Sequence, residues 1–155
     1  VVKDLNGQDA SSFIEKLSAD FTIQKVDAAY KPASLHHFGM YIDNQWYELV
    51  SKEGTYTNDP IGILDVSILS NNVLAKHLNI IDQRTDKRID FVGGIRGLAE
   101  LEKRVNSGEM KVAFSLYPVT IDQLFNIADA GEVMPPKSTW FEPKLRDGLL
   151  THLIY

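Results

Sequence analysis

Phe38-Gly39-Met40-Tyr41-Ile42-Asp43-Asn44-Gln45-Trp46-Tyr47-Glu48-Leu49-Val50 is the stretch on which the fold turns. Phe38, Met40 and Ile42 alternate with other residues at the period of a strand that buries one face, and Trp46 to Val50 repeats the signal on the return. Asp43-Asn44 between them tolerates the left-handed backbone of a two-residue turn, so the segment reads as a β-hairpin. A sheet is therefore the organising element.

Upstream, Asp9 is placed to cap a helix in which Phe13, Ile14, Leu17 and Phe21 recur at helical spacing, and Phe21 to Val26 then alternates as a strand. Pro32 and Ala33-Ser34 separate that unit from the hairpin. Downstream, Gly54 to Gly62 reads as a loop, and Asp65 is expected to cap a helix that carries Val66, Leu69, Val73 and His77 on one stripe and ends near Leu78. Asp82 to Arg88 is a polar loop, Ile89 to Val92 a short strand, and the glycines at 93, 94 and 97 open a helix that buries Leu98, Leu101 and Val105. Gly108 suits the left-handed position after that helix, and Val112 to Tyr117 is a strand closed by Pro118. Thr120 with Gln123 forms a capping box for a last helix, expected to bury Ile121, Leu124 and Phe125 and to stop at Gly131. Met134 to Pro143 is a proline-rich loop, and Leu149 to Tyr155 reads as a final strand. The expectation is one α+β domain over residues 1–155: a mixed, mostly antiparallel sheet of about five or six strands with about four helices, including one parallel crossover between strands near 91 and 114.

Composition narrows the chemistry. With 44% apolar and 24% charged residues over 155 positions the chain can bury an ordinary core without a staple, which excludes disorder and fibrous classes. It has no cysteine, so thiolate metal sites, disulfides and cysteine nucleophiles are excluded, in keeping with a cytoplasmic location. The formal charge of −5 argues against duplex nucleic acid as the main partner, because that affinity comes from clustered Lys and Arg. No apolar run is long enough for a membrane helix. The start at Val1 rather than Met suggests a piece of a longer protein.

Three segments carry candidate chemistry. Phe91-Val92-Gly93-Gly94-Ile95-Arg96-Gly97 runs from strand into glycines and then helix, a geometry that can present backbone N–H groups to an anion, with Arg96 able to add a bidentate contact. Its spacing is not that of a dinucleotide fingerprint. Gly131-Glu132-Val133-Met134-Pro135-Pro136-Lys137-Ser138 copies the phosphate-loop spacing with proline in place of the second glycine, and proline has neither the N–H nor the torsional freedom that loop uses. What remains is a rigid Pro-Pro turn presenting Lys137, Ser138, Thr139 and Trp140, equally consistent with a loop pinned over the core by its aromatic residues. Asp82 to Asp90 mixes carboxylates with Arg84, Lys87 and Arg88, which is either a self-paired solvated loop or the mouth of an anion site. His36 and His37 are adjacent on an expected strand and point to opposite faces, so they share no metal; His77 and His152 fit partly buried positions. No catalytic carboxylate pair and no Gly-x-Ser-x-Gly turn is present, and no catalytic residue or metal site is assigned.

The strings from Arg84 to Gly97, Ser107 to Met110 and Ala128 to Lys144 resemble the carboxy-terminal half of a large bacterial family known as domain of unknown function ten-fifteen. Val1 to Gly7 and Leu64 to Leu69 are similar as well, so the resemblance spans essentially the whole chain. In its amino-terminal half this family resembles the ParB and sulfiredoxin fold, which includes nucleotide-dependent kinases acting on free serine as well as chromosome-partitioning proteins. The Asp-Gly-His-His-Arg motif of that half is absent here. The family positions that match are Arg84, Asp86, Arg88, Gly93, Gly94, Arg96, Lys137, Ser138, Thr139, Trp140, Glu142 and Lys144, and no established role comes with them. The resemblance implies the carboxy-terminal part of a two-part cytoplasmic protein, with a nucleotide as the parent's implied cofactor. On this reading Arg84, Arg88, Gly93, Gly94, Arg96, Lys137, Ser138, Thr139, Trp140 and Lys144 bind a phosphorylated small molecule in a cleft completed by the amino-terminal half, and the chain alone is catalytically inert. A ParB-like nucleic-acid module and a purely structural interaction domain stand as alternatives.

Overall fold

The computed structural model describes residues 1–139. Its centre is a four-stranded sheet in the order β1-β3-β2-β4, with β1 at Phe21–Val26, β2 at His37–Ile42, β3 at Gln45–Ser51 and β4 at Val112–Leu116. Every pairing is antiparallel. The hairpin forms as its sequence dictates: Ile42 pairs with Gln45, and Asp43 and Asn44 take φ of 47° and 60°, the paired left-handed torsions of a tight turn that matches strand twist.

The period of two then sorts the side chains. Phe38, Met40 and Ile42 of β2 share a face with Leu49 of β3 and with Val112 and Phe114 of β4, and all six are buried against the first helical layer. That layer begins with α1, Ala10–Leu17, whose Asp9 carboxylate accepts from the Ser12 N–H and whose Phe13 and Leu17 are fully buried. It continues as one run of helix over residues 65–78, α-helical at Asp65–Leu69 (α2), π-helical at Ser70–Ala75 and closing in Lys76–Leu78 (α3). The wide π turn spaces the buried residues by five, Leu69 to Leu74 and Val73 to Leu78, in place of the regular helical stripe the sequence suggests. Asn79 at φ 54° ends the run. Each large apolar side chain buried here contributes roughly 1.5–3 kcal/mol.

The opposite face is covered by α4, Gly97–Asn106, with Leu101 packed among Tyr41, Trp46 and Ala113. Trp46 Nε1 donates to Glu102 at 2.7 Å and Tyr41 Oη to Asn106 at 2.9 Å, so two polar links fix the helix on the sheet. Beside it the 27–35 segment crosses Gly39, where the Ser115 hydroxyl donates to the Tyr30 carbonyl at 2.9 Å. A Cβ on Gly39 would stand 2.6 Å from that carbonyl, so glycine is required there by close approach. The last helix, α5 at Ile121–Asp129, carries the full Thr120–Gln123 capping box.

The α+β class and the four helices agree with the sequence reading, and several details are corrected. The sheet has four strands among the described residues, not five or six, and it contains no parallel pair. Ile89 to Val92 is not a strand: Val2 occupies the place beside β4, bridging Val112 on one side and Ile89 on the other. Lys3 N–H donates to Arg88 O and Asp90 N–H to Val1 O, both between 2.8 and 3.0 Å, so residues 88–90 pair with residues 1–3 and the parallel crossover vanishes. The expected strand at 149–155 lies outside the described residues. Asp65 does not cap its helix; it is the first helical residue, after Leu64, and its carboxylate serves His36 instead. His36 precedes β2 with φ 65°, off the strand on which it was expected. Ile121 and Phe125 are 69% and 59% exposed, while Ile127 is the buried residue of α5, because periodicity says which residues share a face but not which face is covered.

Candidate functional site

The outer edge of β4, the residue 65–78 helix and the start of α4 enclose a cavity of about 1040 Å³. Three apolar walls build it: Leu69 and Leu74 from the helix, Phe114 and Leu116 from β4, and Leu101 from α4. The packing of α4 on Trp46 and Tyr41 determines where its leading turn falls, and that turn delivers Gly93 and Gly94 to the cavity. The chain returns to the same place after α5, where Lys137, Ser138 and Thr139 also line it. Two candidate segments more than forty residues apart thus meet at one hollow.

The glycines at 93 and 94 are informative. Gly93 has φ −62°, an ordinary value, and a Cβ at either position would meet nothing within 4 Å among the described residues. Neither torsion nor packing demands glycine there, in contrast to Gly97 at φ 70°. Their bareness keeps the backbone at the cavity wall open, and their N–H groups make no hydrogen bond among the described residues. Just before them Asp90 accepts from Arg104 at 2.6 Å and from the Phe91 N–H at 2.8 Å. The Arg104 guanidinium, more than the Phe91 bond, holds Asp90 below the usual carboxylate range, and the same guanidinium also pairs with Glu109.

On the same lining Lys137 takes φ 62°, and the Ser138 hydroxyl turns back to donate to the Pro135 carbonyl at 2.6 Å. Lys137 is exposed and makes no ion pair among the described residues. Arg96 is likewise exposed, one step beyond the glycine turn, and does not line the cavity.

The remaining candidates lie elsewhere. Arg84 is bidentate to Asp82, 3.1 Å to each oxygen, at a second cavity of about 590 Å³ that also touches Pro135 and Pro136. Arg88 grips Asp86 at 2.7 Å and donates to the carbonyls of Leu78 and Asn79 at 2.9 Å, so it acts as the clamp on the end of the 65–78 helix. Asp82 and Asp86 sit below the usual carboxylate range because of these arginines. The two cavities are neighbours, sharing Val66 and Gln83 in their walls. Trp140, Glu142 and Lys144 lie outside the described residues.

Sequence reading missed Asp65, which also lines the large cavity. It is only 5% exposed, and its Oδ1 accepts from the His36 N–H at 2.8 Å. Burial, outweighing that hydrogen bond and the pull of His36 and His37, lifts its carboxyl to about 6. The signal for it is its setting in Ile63-Leu64-Asp65-Val66, a carboxylate inside an apolar run, which also fits a helix cap. A separate polar cluster joins Tyr30, His37 and Glu48 beside the 27–35 crossing: Tyr30 Oη donates to Glu48, and His37 Nδ1 lies 2.9 Å from the same oxygen. Burial foremost, with the Glu48 contact, pushes the Tyr30 hydroxyl up to about 12. Among the described residues no group of three or more His, Asp and Glu side chains is placed to hold a metal ion, and no helix is long and apolar enough to cross a membrane.

Residues 1–67 match the model of a family described as protein of unknown function (DUF1015). The matched part includes Val1 to Gly7 and Leu64 to Ser67 but ends before the glycine turn and the Lys137 loop. Neither the curated proteins nor the solved structures contain a match.

Proposed function

We propose that the large cavity is one side of a binding cleft for a small molecule carrying a phosphate-type anion, completed by a second, ParB/sulfiredoxin-like domain of a longer parent, and that this chain alone performs no turnover. The observation that carries this reading is the meeting of Gly93-Gly94 with Lys137–Thr139 at a single hollow. Unoccupied backbone N–H groups and an exposed lysine on one lining are the contacts an anion needs, and the apolar walls suit the organic part of the ligand. The pairing of Asp90 with Arg104, which also holds Glu109, lessens the repulsion that carboxylate would otherwise exert. Arg84 and Arg88, engaged with their own neighbours, take no direct part.

The test is titration of the chain with inorganic phosphate and with O-phosphoserine, followed by amide resonances. Saturable shifts centred on Gly93, Gly94 and residues 137–139, weakened about tenfold by Lys137→Ala, are expected. Absence of saturation, or shifts confined to other surfaces, overturns the anion site. Turnover of serine and a nucleotide by this chain at the parent's rate overturns the accessory role.

A further inference from the structure

We infer that Asp65 is the counter-charge for a primary ammonium group on the ligand of the large cavity. The inference rests on the proposal above only in treating this cavity as a ligand site; it assigns a different group of the ligand to a different wall.

The carboxylate is nearly completely buried, yet only half of it is satisfied. Oδ1 takes the His36 N–H, whereas Oδ2 has no hydrogen-bond partner among the described residues. The polar groups nearby are already committed. His36 uses both ring nitrogens, Nε2 toward the Ile63 carbonyl at 3.2 Å and Nδ1 toward Tyr56 Oη at 3.0 Å. The Ser115 hydroxyl is given to Tyr30 and the Gln83 amide to Ser70 at 2.7 Å, although both residues line the same cavity as Asp65. Of the charged groups on that lining, Asp90 is held by Arg104, the Val1 amino group donates to the Asp90 carbonyl at 2.9 Å, and Lys137 is exposed. A buried carboxylate without a partner is costly, and among the described residues no cation pairs with it.

A primary ammonium offers what is lacking: an N–H donor for Oδ2 and a positive charge to offset the ionised form. Leu69, Leu74 and Phe114 would receive the hydrocarbon next to it. A hydroxyl would bring the donor without the charge, so charge is the property that separates the two classes. The groups that bear on Asp65 electrostatically are His36 just before β2 and His37 at its start, Tyr56 through His36, and Asp90, Lys137 and the Val1 amino group on the same cavity lining.

n-Butylamine and n-butanol are the probes, titrated into wild type and Asp65→Asn above the Asp65 midpoint and followed by amide shifts of residues 65–74 and 114–116. Butylammonium is expected to saturate and to bind about tenfold more tightly than butanol to wild type, with the preference lost in Asp65→Asn. In wild type it also lowers the midpoint at which the Asp65 carboxyl titrates. Equal binding of amine and alcohol by wild type overturns the inference, a comparison that needs no variant to fold. So does a preference that survives in Asp65→Asn. Inorganic phosphate added to the same samples separates the two readings: phosphate shifts at residues 93–94 and 137–139 without an amine preference sink this inference alone, and an amine preference without phosphate shifts sinks only the anion site.

Discussion

Asp65 ties the stability of the fold to pH in a direction opposite to most carboxylates. Its pKa lies at about 6 in the folded chain against an ordinary 3.8, and burial is the leading cause. A carboxyl raised on folding favours the native state fully while protonated, below the unfolded value, and the contribution is lost as pH climbs through the folded value. From the two pKa values, ionisation of this one group costs about 3 kcal/mol by pH 8, of which about 2.5 kcal/mol accrues between pH 4 and pH 8. Asp65→Asn keeps an oxygen for the His36 N–H and removes the charge. The substitution carries a pH-independent offset, since the amide N–H₂ replaces Oδ2 where no partner waits. The difference in unfolding free energy between Asp65→Asn and wild type, measured by urea denaturation across that range, therefore grows in favour of the variant as pH rises. The corresponding shift in thermal midpoint is roughly 5–10 °C for a chain of this size. Taking the difference between the two proteins cancels groups such as Glu48, Asp86 and Asp90, whose depressed values act at lower pH. A pH-independent difference, or one that grows as pH falls, would refute the assignment of a desolvated carboxyl to the cavity wall.

Two further outcomes follow from the packing. Gly39→Ala drives a methyl toward the Ser115 hydroxyl and the Tyr30 carbonyl, and because the latter is backbone the chain must shift; a loss of about 1–3 kcal/mol in denaturant unfolding is expected, and an unchanged midpoint contradicts the close crossing of the 27–35 segment. Thr120→Ala removes the cap on α5 and costs about 1 kcal/mol, seen as faster amide exchange over residues 121–125, while exchange in β2 and β3 stays unaltered.

What was legible in the sequence depended on how local its cause is. The Asp43-Asn44 turn, the Asp9 cap, the Thr120–Gln123 box and the stops at Leu78 and Gly108 each follow from torsions and hydrogen bonds within a few residues, and each appears where the residues demand it. The Ile89 to Val92 segment failed because strand character does not choose a partner. Val2 bridges β4 and Ile89 at once, and nothing within residues 89–92 records that competition. The burial of Ile127 in place of Ile121 and Phe125 has the same origin, since an amphipathic stripe does not name the surface that covers it.

The candidate site divides along the same line. Gly93, Gly94, Lys137, Ser138 and Thr139 were recognisable as residue types suited to anions, but the one cavity that joins them exists only because α4 is fixed to the second face of the sheet through Leu101, Trp46 and Tyr41. Arg84 and Arg88 carry the same charge in the sequence and are drawn instead to Asp82, Asp86 and the end of a helix. Asp65 reads as a cap and is instead a buried acceptor for the His36 N–H, 29 residues earlier. The hairpin, the caps and the helix limits follow from local sequence, because those free energies are settled between near neighbours. Strand order, the cavity and the fate of each charge arise from long-range packing, because burial and pairing depend on which distant surfaces come to exclude water together.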